Sequence, residues 1–214
     1  MEQNSALYKI ISHICFMTNL GQFFESEIIL ENERARLSPL SREHIAELSK
    51  IAFEPALWKL STTRIEKPED LKNYIDTALE ERAKGQSYPF LIFDKQIKRV
   101  AGCTRYGAIS LPNKRLEIGW TWLHPSFHGS GLNKSCKFLL LKFAFEELGL
   151  NRVELKTDVL NWQSRKAMLK LGAVQEGIFR KHIITDTGRV RNSIYFSFTN
   201  DDWPGLKQTV FADL

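Results

Sequence analysis

Arg115 to Phe145, RLEIGWTWLHPSFHGSGLNKSCKFLLLKFAF, opens a strand, turns through a short loop and starts a long apolar helix. In the strand, Arg115 to Leu123, the residues Leu116, Ile118, Trp120 and Trp122 alternate with Glu117, Gly119, Thr121 and Leu123, the period of a pleated strand with two different faces. One face is expected to be apolar and the other to carry the Glu117 carboxylate. The loop, His124 to Ser130, supplies glycines just before Leu132, Cys136, Leu139, Leu140 and Phe143 begin to recur at helical spacing over Gly131 to Leu148. A glycine loop therefore opens a helix. The first N–H groups of a helix have no partner of their own and lie at its positive end, so they can hold a phosphate when nothing bulky stands in front of them.

Spacing separates the phosphate-binding devices that fit this description. A Rossmann fingerprint needs a third glycine where Lys134 stands, and a P-loop needs Gly-Lys-Ser/Thr after four residues, which is absent. A strand-to-helix turn that uses glycines only for backbone freedom stays open. The stretch resembles motif A of the GNAT superfamily of acyl-CoA-dependent N-acyltransferases: Glu117-Ile-Gly-Trp120, Leu123-His-Pro125, then Gly129-x-Gly131-x-Asn133 and the helix. Ser126 stands where the family signature has Arg or Gln.

A chain of 214 residues suits one α/β domain, large enough to bury on the order of 70% of its unfolded surface. Thirty basic against 25 acidic residues give a net charge of +5, a mild bias that suits an anionic ligand and does not call for nucleic acid. Cys15, Cys103 and Cys136 are odd in number and form no Cys-x-x-Cys pair, so neither a disulfide framework nor a metal site is expected, and a reducing cytoplasm is the expected compartment. No apolar run approaches the ~20 residues of a membrane span, and no basic stretch introduces the N-terminus as in a secretory signal. Residues 1–26 read as an N-terminal extension in which Leu7, Ile10, Ile11 and Ile14 share a helical face; residues 1–16 in particular read as an upstream addition or a small docking helix.

Residues 27–205 read as the domain and 206–214 as a tail. Glu27 to Leu40 alternates as a first strand, ending at Pro39. Ser41 caps a helix bearing Ile45, Leu48, Ile51 and Ala52, and Pro68 starts a second with Leu71, Ile75, Ala78 and Leu79 before Gly85. Tyr88 to Asp94, Arg99 to Ile109 and Arg115 to Leu123 form an antiparallel meander. Beyond the long helix come a strand at Arg152 to Val159, a helix capped by Asn161 and closed by Gly172, and a hairpin of Ile178 to Thr185 with Arg189 to Phe198.

This order resembles the GNAT fold over residues 27 to about 200. It implies an α/β (α+β) architecture, with a central mixed, mostly antiparallel sheet of about seven strands, splayed in the middle and flanked by about four helices. Asn161-x-x-Ser164, Leu171-Gly172-Ala173, Glu176-Gly177, Arg180 and Asp202-Trp203 resemble the subgroup of bacterial ribosomal-protein alanine N-acetyltransferases. The resemblance implies acetyl-CoA as co-substrate without a metal, held by Trp122, Leu123, Gly129, Ser130, Gly131, Leu132, Asn133, Lys134, Asn161 and Arg165, with Lys137 as a further phosphate partner. It also implies an amine acceptor, either a protein N-terminus or a small molecule, contacted by Trp58, Tyr106 and Arg180. A second copy of the chain is the other expected partner, with no membrane and no nucleic acid.

Acyl transfer to an amine needs a neutral amine, a polarised carbonyl and a proton for the departing thiolate. Glu117 matches the glutamate that serves as base in several GNAT enzymes, with Gly119 leaving room for substrate; pairing with Arg105 or Arg180 is the alternative. Ser164 is the expected proton donor or thiolate stabiliser, because Met168 stands where many GNAT proteins have a tyrosine, although a first-turn serine can equally satisfy local backbone. His182 is the alternative base, and Ile183 stands where the ribosomal enzymes have glutamate. Trp58 also fits a plain core role, and His124 fits a loop hydrogen bond.

Overall fold

A computed structural model of the protein describes residues 23–214. The proposed addition at residues 1–16 lies outside that range. Eight strands form one sheet: β1 (Leu30–Glu31), β2 (Ala35–Pro39), β3 (Tyr88–Asp94), β4 (Arg99–Ser110), β5 (Arg115–Leu123), β6 (Arg152–Asp158), β7 (Val174–Ile184) and β8 (Val190–Thr199). Their order is β1-β2-β3-β4-β5-β6-β8-β7, and every neighbouring pair is antiparallel except β5 with β6. The mixed, mostly antiparallel sheet is thus as expected, with one strand more than anticipated.

The extra strand arises because Glu27 to Leu40 is broken. The side chain of Asn32 accepts from the N–H groups of Arg34 (3.0 Å) and Ala35 (2.8 Å), the local turn that asparagine favours, and folds β1 back on β2. Elsewhere local signals hold. Ser41 leads through one 3-10 turn (Arg42–His44) into α1 (Ile45–Ala52), its N–H bonded to His44 Nδ1 at 3.0 Å. α2 (Pro68–Ala83) starts at its proline. α3 (Leu132–Lys142) continues through a wide π turn at Phe143–Glu147, α4 (Trp162–Lys170) is capped by Asn161, and α5 (Trp203–Gln208) follows the hairpin.

The two sheet faces carry separate cores. On one face Tyr88, Phe90, Tyr106, Leu116, Ile118, Leu155 and Phe196 pack against the buried side of α3 and against Trp203 and Phe211; on the other, Leu91, Cys103 and Trp122 pack against α1, α2 and Trp58. Both ends of the described chain pack onto these cores. Phe23 is buried against Tyr88, and Ser26 O accepts from Tyr88 Oη at 2.6 Å, so residues 23–26 dock on β3. Phe211 is buried between Phe138 and Trp203, so the C-terminal tail packs onto the core there. Among the described residues no helix is long and apolar enough to cross a membrane.

Candidate active site

The site begins with an interruption in β5. Arg105 pairs with Gly119 and Cys103 with Trp122, so Trp120 and Thr121 both stand opposite Thr104, a bulge at which Trp120 takes φ +49°. One extra residue exchanges the two faces of a strand. Leu116 and Ile118 lie in the α3 core, Trp122 in the core of α1 and α2, and Trp120 is partly exposed. This corrects the expectation of one apolar face bearing all four residues. The Trp120 ring lies over Gly107, where an added Cβ would stand 2.4 Å from it.

Beyond the bulge the sheet opens. β5 and β6 pair only at Arg115 with Arg152, Leu116 with Val153 and Glu117 with Glu154, leaving the edge of Gly119 to Leu123 unpaired on that side. A cleft of about 880 Å³ occupies the gap. It runs from the glycine loop, past Lys137, Asn161, Ser164 and Met168, to Glu117, Trp58, Tyr74 and Arg191.

At the loop, Gly129 and Gly131 have φ of +75° and +85°, a region that favours glycine, and a Cβ at either would meet nothing within 4 Å. Ser130 is taken up locally, its hydroxyl donating to Phe127 O at 2.8 Å and accepting from Leu132 N–H at 3.4 Å. Leu132 is a core residue. Among the described residues no hydrogen bond is made by the backbone N–H groups of Gly129, Gly131, Asn133 or Lys134, and these donors border the cleft. Lys134 also lines it while pairing with Asp213. Lys137 is only 4% exposed, and its ammonium donates to Thr121 Oγ1 at 2.8 Å without an acidic partner among the described residues. Burial holds its pKa down at about 8.

Glu117 is 3% exposed on the opposite wall and accepts from Lys156 Nζ at 2.6 Å. Its partner is thus neither Arg105, which bonds Glu81 at 3.1 Å, nor Arg180. The absent side chain of Gly119 serves Glu117 directly, since a Cβ there would stand 2.8 Å from the carboxylate Oε1; the room expected for substrate is room for the carboxylate. Lys156 escaped the sequence reading because it lies 39 positions away. The alternation of Val153, Leu155 and Thr157 does put Glu154 and Lys156 on the other face, and a parallel β5–β6 register brings that face to Glu117.

Asn161 Oδ1 accepts from Ser164 N–H at 3.0 Å, which leaves the Ser164 hydroxyl at the cleft wall without a hydrogen bond among the described residues. His128, not singled out in the sequence, ties the site together. Its Nε2 lies 2.9 Å from Leu123 O and its Nδ1 2.9 Å from Gln163 Nε2, linking the end of β5 to α4. His124 bonds Ser126 within the loop, as expected.

Several candidates lie elsewhere. Tyr106 is fully buried on the α3 face and donates to Leu140 O at 2.6 Å, so it cannot contact an acceptor. Arg165 donates to Val159 O at 3.1 Å and stacks 4.0 Å over Trp162, away from the cleft lining. Arg180 is exposed on β7 outside the cleft. His182 packs against Phe179 and Tyr195 beside the mouth, not in its lining; burial, aided by Lys156 and Arg191, lowers its pKa. Trp58 does line the cleft, as an apolar wall, because its indole N–H is spent on Ala52 O at 2.7 Å and its ring lies 5.4 Å from Trp122. Burial pushes the Cys103 and Cys136 thiols up to about 12, which removes both as nucleophiles.

A family model described as the acetyltransferase (GNAT) domain matches residues 34–174. YdaF of Bacillus subtilis (strain 168), provisionally named a ribosomal N-acetyltransferase, is 34% identical over 95 residues, 44% of this chain and 51% of that protein; the match thus spans about half the relative's length. The ribosomal-protein-serine acetyltransferase of Escherichia coli (strain K12) is 23% identical over 160 residues, covering 73% of this chain and 88% of that protein. Among solved structures, a GCN5-related N-acetyltransferase from Brucella melitensis superposes with a TM-score of 0.80 at 28% identity, covering 87% of this chain and 85% of its own.

Proposed function

The chain belongs to the GNAT acetyltransferase family, a family of acyltransferases, and from that premise we propose that it moves the acetyl group of acetyl-CoA directly to a primary amine with Glu117 as general base. The observation that carries the reading is the continuity of one cleft. It joins unpaired N–H donors at a glycine loop to a buried carboxylate on the far wall, along a strand edge that no neighbour covers.

On this reading Gly129, Gly131, Asn133 and Lys134 hold the donor's pyrophosphate, with Lys134 and Lys137 supplying positive charge. Trp122, Leu123 and Asn161 flank the pantetheine arm, which takes the unpaired edge of β5. The acceptor enters between Trp58, Tyr74 and Glu117. Glu117 receives the amine proton, directly or through water, and Lys156 orients the carboxylate for that task by donating to it. The neutral nitrogen attacks the thioester carbonyl, the C–S bond breaks, and the thiolate takes the extra proton of the new ammonium, either directly or relayed through the Ser164 hydroxyl, which gives its proton to sulfur as it receives that of the nitrogen. Neither described thiol serves as an acyl carrier, since both are buried.

The acceptor follows from proton affinity. An α-amino group titrates near 8 and a lysine near 10.4, so at neutral pH the free-base fraction of the former is larger by roughly two orders of magnitude. Peptide N-termini, or small amines of similarly low pKa, are therefore the proposed acceptors, a reading supported by the names of two relatives, a ribosomal N-acetyltransferase and a ribosomal-protein-serine acetyltransferase. The test is acetyl incorporation, followed by mass spectrometry and thiol release, across a panel of peptides and small amines. Acetyl-CoA binding with no incorporation into any amine would mark a cofactor-binding module without turnover and sink the proposal.

A further inference from the structure

On the acceptor side of the sheet, charged groups come together from β5, β6, β8 and the turn that precedes β8. The alternation that sends Leu116, Ile118, Val153, Leu155, Ile194 and Phe196 into the α3 core places Glu117, Lys156, Asp158 and Arg191 on the opposite face. Lys156 pairs with Glu117, and Arg189 pairs with Asp158, whose other oxygen accepts from Leu160 N–H at 2.9 Å. Arg191 is left over. It is 6% exposed and lines the cleft, and its guanidinium makes no ion pair and no hydrogen bond among the described residues; Nε is wholly buried without a partner. Two neighbours are in the same condition, Ser193 Oγ on the same strand face and Nδ1 of His182, whose ring packs against Tyr195 of that face.

A guanidinium cannot shed its proton to escape burial, so an unpaired one in a cleft wall is costly until an anion arrives. Asp158 and Glu117 are near enough to act on it electrostatically, but each is already engaged by another cation. The planar fork of arginine matches a carboxylate with two parallel hydrogen bonds. We infer that Arg191 is the anion receptor of the acceptor site, selecting amines that carry a carboxylate close to the reacting nitrogen. The inference rests on the acetyl-transfer reading and specifies its substrate class: the amine meets Glu117 while the carboxylate meets Arg191. A free amino acid and a peptide with an acidic first residue present the same chemistry.

Matched acid and amide ligands test this with or without turnover. The probes are N-acetylglycine against N-acetylglycinamide, and N-acetylated tripeptide amides opening with Asp against Asn, each titrated by calorimetry into the whole protein saturated with CoA. The expected result is binding of the acid roughly 10- to 100-fold tighter than its amide in at least one pair, the pair identifying a free amino acid or a peptide as the source. In Arg191→Gln the ratio should collapse towards one, Arg191→Lys should keep part of it, and acetyl-CoA affinity should stay within about twofold. Equal affinities for acid and amide in the wild-type protein overturn the inference, as does a ratio that survives in Arg191→Gln. A fall in acetyl-CoA affinity that parallels the loss also overturns it, by assigning Arg191 to the donor. Should Arg191→Gln fail to fold, the wild-type ratio and the lysine variant decide. A preserved ratio with no amine acetylated supports the anion site and removes the acetyl-transfer reading.

Discussion

Burial keeps the pKa of the Lys137 ammonium at about 8 against an ordinary 10.5, and among the described residues no carboxylate pairs with it. Below pH 8 the folded and unfolded chains both carry the proton, and the native state bears the full cost, up to about 3 kcal/mol. Between pH 8 and 10.5 the folded chain has released the proton while the unfolded chain retains it, so stability from this group rises with pH. Lys137→Met should therefore melt at a higher temperature than wild type near pH 7, an advantage that fades towards pH 10, while acetyl-CoA binds more weakly because a charge facing the donor is gone. Paired melts across pH with calorimetry on both proteins check this; a variant that is no more stable at pH 7, or that binds acetyl-CoA normally, contradicts the role. Lys137 was legible as a basic residue near the glycine loop, but its Thr121 contact was not, because it depends on the bulge that turns Thr121 towards α3.

At the scale of elements, the glycine loop and the β5 bulge divide what local sequence can specify. Gly129, Gly131, Pro68 and the Asn161 cap were readable because each acts on its own backbone within a turn. The bulge was not: period-two alternation cannot register an extra residue that shows only once Trp120 and Thr121 are set together against Thr104 on the neighbouring strand. Nor was the burial of Tyr106 against α3, which depends on how the helix lies over the sheet. The loop assignment makes a sharp prediction. Gly131→Val imposes strain of roughly 1–2 kcal/mol at a positive φ and projects methyl groups into the open space before the N–H donors, so a folded variant should lose acetyl-CoA affinity at least tenfold. Gly149→Val, at φ +60° with equally open surroundings outside the cleft lining, supplies the control, with similar strain and intact affinity. Circular dichroism and calorimetry on the pair separate phosphate recognition from backbone freedom; equal affinities in the two variants would remove the loop from the donor site.

Across the whole molecule, the chain closes on itself through its last residues. Leu206 Cδ2 fills the space over Gly172, only 2.4 Å from where a Cβ would stand, Phe211 packs on Phe138 and Trp203, and Asp213 reaches Lys134 beside the glycine loop. Removing residues 206–214 should cost at least what loss of one buried Phe costs, about 3–5 kcal/mol, and lower the melting temperature by roughly 6–20 °C; an unchanged melting curve would show those residues to be an appendage after all. The family resemblance implied a mixed sheet splayed in the middle; the strand order and the parallel β5–β6 junction, which it did not specify, are what bring Glu117, the glycine loop and Ser164 to one cleft. The central claim, that this cleft transfers acetyl to an amine with Glu117 relaying the proton, is tested most directly by steady-state rates of wild type and Glu117→Gln on the best acceptor across a pH series at saturating acetyl-CoA. Loss of the base should lower kcat by about 10²- to 10⁴-fold at pH 7, and the gap should narrow as rising pH supplies free amine without help. A variant that keeps its full rate at neutral pH would contradict the account, leaving Glu117 as the structural partner of Lys156 and the base elsewhere.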